Sequence, residues 1–271
     1  MTKKNQDEMS FLEHLEILRW HILRSFVAIF IIAIAAFIFK DFIFGNIILA
    51  PKEPGFPSNV LLCELGQRTG VQKLCINSVP LQIISIKMAG QFTMHIMVSL
   101  VIGIVMGFPY IFFEFWRFIA PALRSKEKRH ARGAVFYSSF LFLLGVTFGY
   151  FVITPLTVHF LGSYNVSPEV ENQINLISYV STLASVVLAS GVIFELPVLA
   201  YFLTKIGLIT PEFMRRYRRH SLIVILLLSA IITPPDVFSQ ILVAVPLIIL
   251  YEVGIFISRR IIRKQKAEME E

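Results

Sequence analysis

The sequence predicts an all-α membrane protein of six transmembrane helices, the fifth and sixth short or broken, with both termini cytoplasmic. Three observations lead there. Of 271 residues, 56% are hydrophobic and only 16% charged, and the mean hydropathy is +0.72; a soluble domain carries roughly a quarter charged residues. Six apolar segments recur along the chain, most of them long enough for a bilayer. The lysines and arginines gather on alternate connections, so each connection can be assigned a side.

The first apolar segment runs from Ile22 to Phe39, about 27 Å of helix at 1.5 Å per residue. Before it, residues 11–21 read as a cytoplasmic amphipathic helix. The segment is long enough to span and has no small-residue cleavage site, so a cleaved signal peptide is not expected. The second segment, Phe92 to Phe113, carries Gly103, Gly107 and Pro109 as expected bend points. The third extends from Ala134 to Ile153, and the fourth from Tyr179 to Leu203 with Glu195 inside it. The fifth, Leu222 to Ile232, gives only about 17 Å of helix against about 30 Å of hydrocarbon. The sixth, Val237 to Ile257, is interrupted by Pro246.

Charge assigns the sides. Lys3, Lys4 and Arg19 precede the first segment. Arg117, Arg124, Lys126, Lys128, Arg129 and Arg132 lie between the second and third. Lys205, Arg215, Arg216, Arg218 and Arg219 lie between the fourth and fifth, and Arg259, Arg260, Arg263, Lys264 and Lys266 fall in a tail, residues 259–271. Val158 to Ser178 and Thr233 to Asp236 hold no Lys or Arg. The positive-inside rule therefore puts both termini in the cytoplasm. A buried re-entrant hairpin at the fifth segment would leave the C-terminal basic cluster on the wrong side. We therefore read it as a short true span beside which the bilayer thins. Residues 1–271 form one integral membrane domain in this reading.

Residues 40–91 make a long outer loop with Pro51, Pro54, Pro57 and Pro80, and they hold the only cysteines, Cys63 and Cys75. Two readings stay open. A disulfide here is worth about 2–3 kcal/mol in the chain-entropy model; the alternative is two free thiols. Location on the outer, oxidising side favours the bond.

Several chemistries have no residues to carry them. There is no Gly-rich phosphate loop, nucleophile elbow, H-E-x-x-H or C-x-x-C. The histidines are scattered, and His14, His21 and His95 sit near span ends, where a polar anchor explains them. No ligands cluster at metal spacing. Enzymatic activity, a cofactor, a metal and a nucleic-acid partner are not expected. Of the acids in the spans, Glu195 lies deep, while Glu114 and Glu252 lie near the inner ends.

Three stretches belong together: FLEHLEILRWHI (Phe11 to Ile22), FPYIFFEFWRFIAPALRSKEKR (Phe108 to Arg129) and ITPPDVFSQ (Ile232 to Gln240). With FELPV in the fourth segment, they resemble the TatC family, the six-span subunit of the twin-arginine translocase. The resemblance extends from Phe11 to Arg260, and its phrases F-I-A-P-A-L and T-P-P-D are specific in this order. It implies a receptor in the bacterial cytoplasmic (inner) membrane that binds twin-arginine signal peptides on folded cargo. It also implies single-span TatA and TatB partners, self-association in a larger complex, and transport driven by the proton-motive force. The Cys-bearing outer loop has no counterpart in the family pattern.

Residue by residue, the resemblance carries over as follows. The family pattern F-x-E-H-L-x-E-L-R puts Glu13 and Arg19 at the peptide site, and the loop acid matches Glu127. Ile17 stands where the family has its second glutamate. Glu16 is one residue away, rotated about 100°, whereas Glu13 shares the face of Ile17. Physically, paired guanidiniums call for fixed carboxylates, because a bidentate pair adds geometric selection to charge. An ordinary amphipathic face for Glu13 and Glu16, and a local surface ion pair for Glu127, are the plain alternatives. Pro109, Phe118 and Pro121 match the family's inner-end motif, where they also kink and turn the chain. Pro51 and Asp236 match outer-loop positions; Asp236 is equally placed to cap the sixth helix.

Glu195 is the residue that membrane energetics singles out, since a carboxylate alone in hydrocarbon costs several kcal/mol. Pro197 lacks the N–H that would bond the Ile193 carbonyl, which leaves a second polar group nearby. The family's acid at this position faces a groove where a partner helix or the signal peptide meets it. The alternatives are an internal bond to Ser190, Ser185 or a serine or threonine on another span, and a coupling acid in a proton-coupled small-solute transporter. The chain shows none of the internal repeat that such transporters often carry.

Overall fold

The computed structural model describes the backbone of residues 11–70, 74–77, 81–119, 131–167, 169, 172–232 and 237–270. It describes their side chains except at 11–14, 119, 131–132, 231–232, 237–239 and 265–270. In chain order the elements are α1 (Phe11–Ile38), α2 (Pro57–Thr69), β1 (Ile83–Ile84), α3 (Gly90–Ile119), α4 (Ala131–Phe148), α5 (Thr154–Ser163), β2 (Ile174–Asn175), α6 (Leu176–Phe194), α7 (Leu196–Lys205), α8 (Pro211–Arg216), α9 (Arg218–Ile232) and α10 (Val237–Glu270). Among the described residues, five stretches are long and apolar enough to cross a membrane: Leu15–Ile38, Gly90–Phe118, Gly133–Ser163, Leu176–Lys205 and Gln240–Lys264. The chain divides into two compact units, Met1–Lys40 with His95–Phe140, and Asp41–Met94 with Leu141–Glu271.

In the first unit, α1 lies against α3. Gly103 makes this approach close: a Cβ there would stand 2.7 Å from the Ile29 carbonyl oxygen and 3.2 Å from the Ala33 Cβ. Small residues let helix backbones approach where lipid supplies no hydrophobic drive between them. At the far end of the pair, His95 Nε2–H donates to the Phe37 carbonyl at 3.0 Å, and the two rings stack at 3.8 Å. The opposite face of α1 leaves Phe26, Phe30, Ile34 and Ile38 exposed. That stripe is suited to hydrocarbon rather than water.

The second unit is built on glycine contacts between α4 and α6. A Cβ on Gly145 would lie 2.6 Å from the Ser190 carbonyl, and one on Gly149 would lie 2.8 Å from the Ser190 side chain. The two glycines have the small-x-x-x-small spacing of membrane helix pairs. From Gly149 to Ile153 the helix widens into a π turn, and Thr154 Oγ1 donates to the Gly149 carbonyl at 2.9 Å before α5 continues. Ile153, Val186, Phe194, Ile225, Val243, Ala244 and Leu247 form the core. α7, α8 and α10 pack through Ala200, Met214 and Ile255, with Gly254 facing Ala200 and a Thr204–Ser258 hydroxyl pair at 2.8 Å. α9 and α10 meet where Gln240 Nε2 donates to the Leu226 carbonyl at 3.2 Å, and Arg218 pairs with Glu252 at their other end.

Several expectations need correction. The sixth span is not broken: α10 passes through Pro246 and absorbs most of the expected 259–271 tail. A proline removes one backbone bond and bends a helix, and membrane helices tolerate this because surrounding groups satisfy the freed carbonyl. α3 likewise continues through Pro109. The break falls instead in the fourth segment, at Glu195, between α6 and α7. α9 begins at Arg218, four positions before the apolar run, which lengthens the short fifth helix to about 22 Å. The 40–91 segment is no open loop. It contains a π turn (Ile43–Ile48), a 3₁₀ turn (Ala50–Lys52), α2 and β1, and β1 pairs in parallel with β2 through Ile83 and Ile174. The cysteines need no correction: of the two open readings the structure has the favoured one, a Cys63–Cys75 disulfide.

Candidate functional site

Among the described residues of the first unit, buried and half-buried polar groups gather where α1 and α3 meet on their basic side. His21 and Arg24 are three residues apart on α1, and Tyr110, Glu114 and Arg117 follow at four and three on α3, so each set occupies one helix face. Glu114 is at the centre and only 1% exposed. His21 Nδ1 pairs with its Oε2, Arg117 donates to its Oε1 at 3.1 Å, and Tyr110 hydrogen-bonds it as well. Arg24 approaches Oε2 at 3.9 Å. A buried carboxylate is tolerable only when its oxygens are hydrogen-bonded or paired, and the His21 ring and the Arg117 guanidinium do this. The Phe118 ring meets the His21 imidazole edge-on at 6.3 Å, and Arg117 lies 5.7 Å above the Phe113 ring.

Of the sequence-derived peptide-site residues, Glu16 and Arg19 are exposed on α1, and Glu13 lies in the first turn of the same helix. Phe118 is half-buried against His21. Pro121 and Glu127 lie outside the described residues, as does the outer-loop Asp236. From sequence alone His21 is a plain anchor and Glu114 is distinguished only by its place near an inner span end. The available signal was an acid and a histidine at matching depths on neighbouring spans, with Arg117 one turn beyond the acid.

In the second unit, Glu195 is half-buried at the α6–α7 junction. Its N–H donates to the Val192 carbonyl at 3.1 Å, a tight turn, and its own carbonyl accepts from Leu199 N–H at 2.9 Å. Pro197 lies in the first turn of α7 and is buried against Gly254. Ser190 donates its hydroxyl to the Val186 carbonyl at 2.7 Å, and Ser185 is exposed. Pro51 is buried, and its carbonyl accepts from Asn59 and Asn77. Asn77 was missed by sequence reasoning. It takes a left-handed φ of 51° and gives its amide to the Pro51 and Pro155 carbonyls and the Asn59 Oδ1, while its backbone N–H donates to His159 Nδ1. Asparagine tolerates that backbone better than most residues, and its side chain is the right length to tie the three segments.

Comparison with known proteins bears on this arrangement. A family model described as "Sec-independent protein translocase protein (TatC)" matches residues 13–246. The "Sec-independent protein translocase protein TatC" of Blattabacterium sp. subsp. Periplaneta americana is 37% identical over 265 residues, covering 97% of this chain and 100% of that protein. The protein of the same name from Aquifex aeolicus is 33% identical, covering 95% of this chain and 98% of its own. A solved structure, "Crystal Structure of Twin Arginine Translocase Receptor- TatC in DDM", superposes with a TM-score of 0.69 at 32% identity, over 91% of this chain and 99% of that one.

Proposed function

The chain belongs to the TatC family of Sec-independent protein translocase proteins, and we propose that it is the receptor subunit of a twin-arginine translocase, binding twin-arginine signal peptides of folded cargo for export driven by the proton-motive force. The peptide site lies at the cytoplasmic ends of α1 and α3, with Glu13, Glu16 and Glu127 as carboxylates and Arg19, Phe118 and Pro121 around them. The observation that supports this most is the continuity of α1: the helix is unbroken from Phe11 to Ile38. Acids at 13 and 16 therefore ride on a rigid extension of a span rather than on a loose leader, as selection between Arg-Arg and Lys-Lys requires.

In the same reading α9 is a short fifth crossing and α10 the sixth. Gln240 bonds back to α9, so α9 and α10 form a hairpin. Basic residues precede α9 and lie near the end of α10, so both helices must cross if those residues share a side. Both termini are then cytoplasmic, in the inner membrane. Glu195 is the place where a polar group of a TatA- or TatB-type single-span partner is received.

The test is photocrosslinking of a twin-arginine peptide to the intact protein in membranes. Glu127→Ala should weaken binding by about 1–3 kcal/mol, the range for one hydrogen bond to a charged group. Ile17→Glu should leave binding unchanged or tighter. Equal crosslinking of wild type and the Glu13→Ala/Glu127→Ala double variant would refute the assignment, as would equal binding of a Lys-Lys peptide.

A further inference from the structure

Beside the Glu114 cluster, α1 and α3 leave an open concavity of about 480 Å³, lined by Trp20, Leu23, Arg24, Val27, Ile31 and Tyr110 among others. The receptor reading does not use it. Its composition is divided. At one end stands Arg24, 48% exposed, whose guanidinium makes no hydrogen bond among the described residues and reaches Glu114 only at 3.9 Å. Arg117, also 48% exposed, shares that carboxylate. Two guanidiniums thus face one buried acid, and the exposed rim keeps a positive excess with N–H donors to spare. At the other end Leu23, Val27 and Ile31 repeat every fourth residue, a bare apolar stripe along α1, each about half-exposed or more. Trp20 stands at the charged end, where an amphipathic ring marks headgroup depth.

We propose that this concavity is a binding site for one anionic phospholipid, its phosphate on Arg24 and one acyl chain along Leu23, Val27 and Ile31. The occupant follows from the charges. A guanidinium matches phosphate in geometry as well as sign. A zwitterionic headgroup would set its ammonium against Arg24 and Arg117. A free anion would take the arginine but leave the apolar stripe bare, and a twin-arginine peptide is repelled by the same excess charge. Bilayer attraction to basic residues is worth about 1 kcal/mol per residue, so loss of Arg24 should weaken retention about fivefold or more.

The experiment uses the full-length protein in detergent, titrated separately with phosphatidylglycerol, phosphatidylcholine and inorganic phosphate. Lipid retention is read by native mass spectrometry and the melting temperature alongside it. Phosphatidylglycerol should bind saturably at one site and raise the melting temperature, and the other two should do neither. Arg24→Gln should lose at least fivefold in affinity and Arg24→Lys less. Val27→Trp, which fills the acyl stripe without touching the ion cluster, should lose binding as well. Equal retention of phosphatidylglycerol by wild type and Arg24→Gln overturns the proposal, and so does equal binding of phosphatidylcholine. Protection by inorganic phosphate alone reduces the site to an anion contact and also overturns it. Should Arg24→Gln not fold, Val27→Trp decides: undiminished lipid retention there rejects the site.

Discussion

Glu114 and His21 stand 93 positions apart in sequence, yet they form a side-chain pair that joins α3 to α1. Arg117 completes the second carboxylate oxygen. Removing the carboxylate leaves the His21 ring and the Arg117 guanidinium without their shared acceptor, at about 1–3 kcal/mol. Glu114→Ala should therefore lower the melting temperature in detergent sharply. Glu114→Gln, which keeps a hydrogen-bonding amide, should cost less. A double-mutant cycle with His21→Ala should return a coupling energy well above zero. Additive losses would mean that the pair contributes nothing to holding the two helices.

Much of this fold was legible because membranes restrict what a chain can do. Apolar length marked the spans, and five of the six segments coincide with stretches long enough to cross. Less legible were the places where one side chain decides between two backbones. Pro246 reads as a helix break, but the helix passes through it. Glu195 reads as a polar point inside one span, but the chain turns there and starts a new helix. The contacts that tie Asn77 to Pro51, Pro155 and His159 span up to 82 positions, and no local periodicity announces them. Glu114 was visible as an acid near a span end; its partners were not, because helix-face matching between two spans needs their relative rotation.

Glycine positions separate close packing from conformational freedom. A Cβ on Gly145 would sit 2.6 Å from the Ser190 carbonyl and 2.7 Å from the Phe194 Cβ, and neither atom is the end of a flexible chain. Gly145→Ala should force α4 and α6 apart and cost about 1–3 kcal/mol. Gly133 lies in the same helix with nothing within 4 Å. There alanine should stabilise by about 0.5–1 kcal/mol, since glycine is the poorer helix former. Melting of the two variants side by side checks both signs, and equal responses would dismiss the packing argument.

The Cys63–Cys75 disulfide closes a sequence separation of 12 and ends two residues before Asn77. Reduction, or Cys63→Ser with Cys75→Ser, should cost about 3 kcal/mol in the chain-entropy model. Asn77→Ala should add to this, because it leaves buried carbonyls without their donor, at about 1–3 kcal/mol. The same cysteines report topology. A membrane-impermeant thiol reagent should label them in intact cells once they are reduced. Labelling that needs cell lysis would place this region inside and overturn the proposed orientation.

Glu195 allows a three-way comparison, because its backbone (φ −76°, ψ −5°) suits any residue, so substitutions read the side chain alone. Glu195→Leu removes a group that is expensive to bury in a membrane, and Glu195→Gln keeps an amide and loses only the charge. If the acid serves a partner helix, Leu should damage export and partner crosslinking far more than Gln, while the isolated protein melts at the wild-type temperature or above. If the acid instead holds the α6–α7 junction together, Leu should lower the melting temperature by an amount equivalent to about 1–3 kcal/mol and leave crosslinking intact. If it is a proton-coupling acid, Gln should be as harmful as Leu, because neither can exchange a proton. Wild type, Gln and Leu are therefore scored for melting temperature, crosslinking to a single-span partner, and export of a twin-arginine cargo. The expected pattern is a stable Leu variant that loses its partner and a Gln variant that largely keeps it. A Leu variant that melts low but still crosslinks would assign Glu195 to the scaffold.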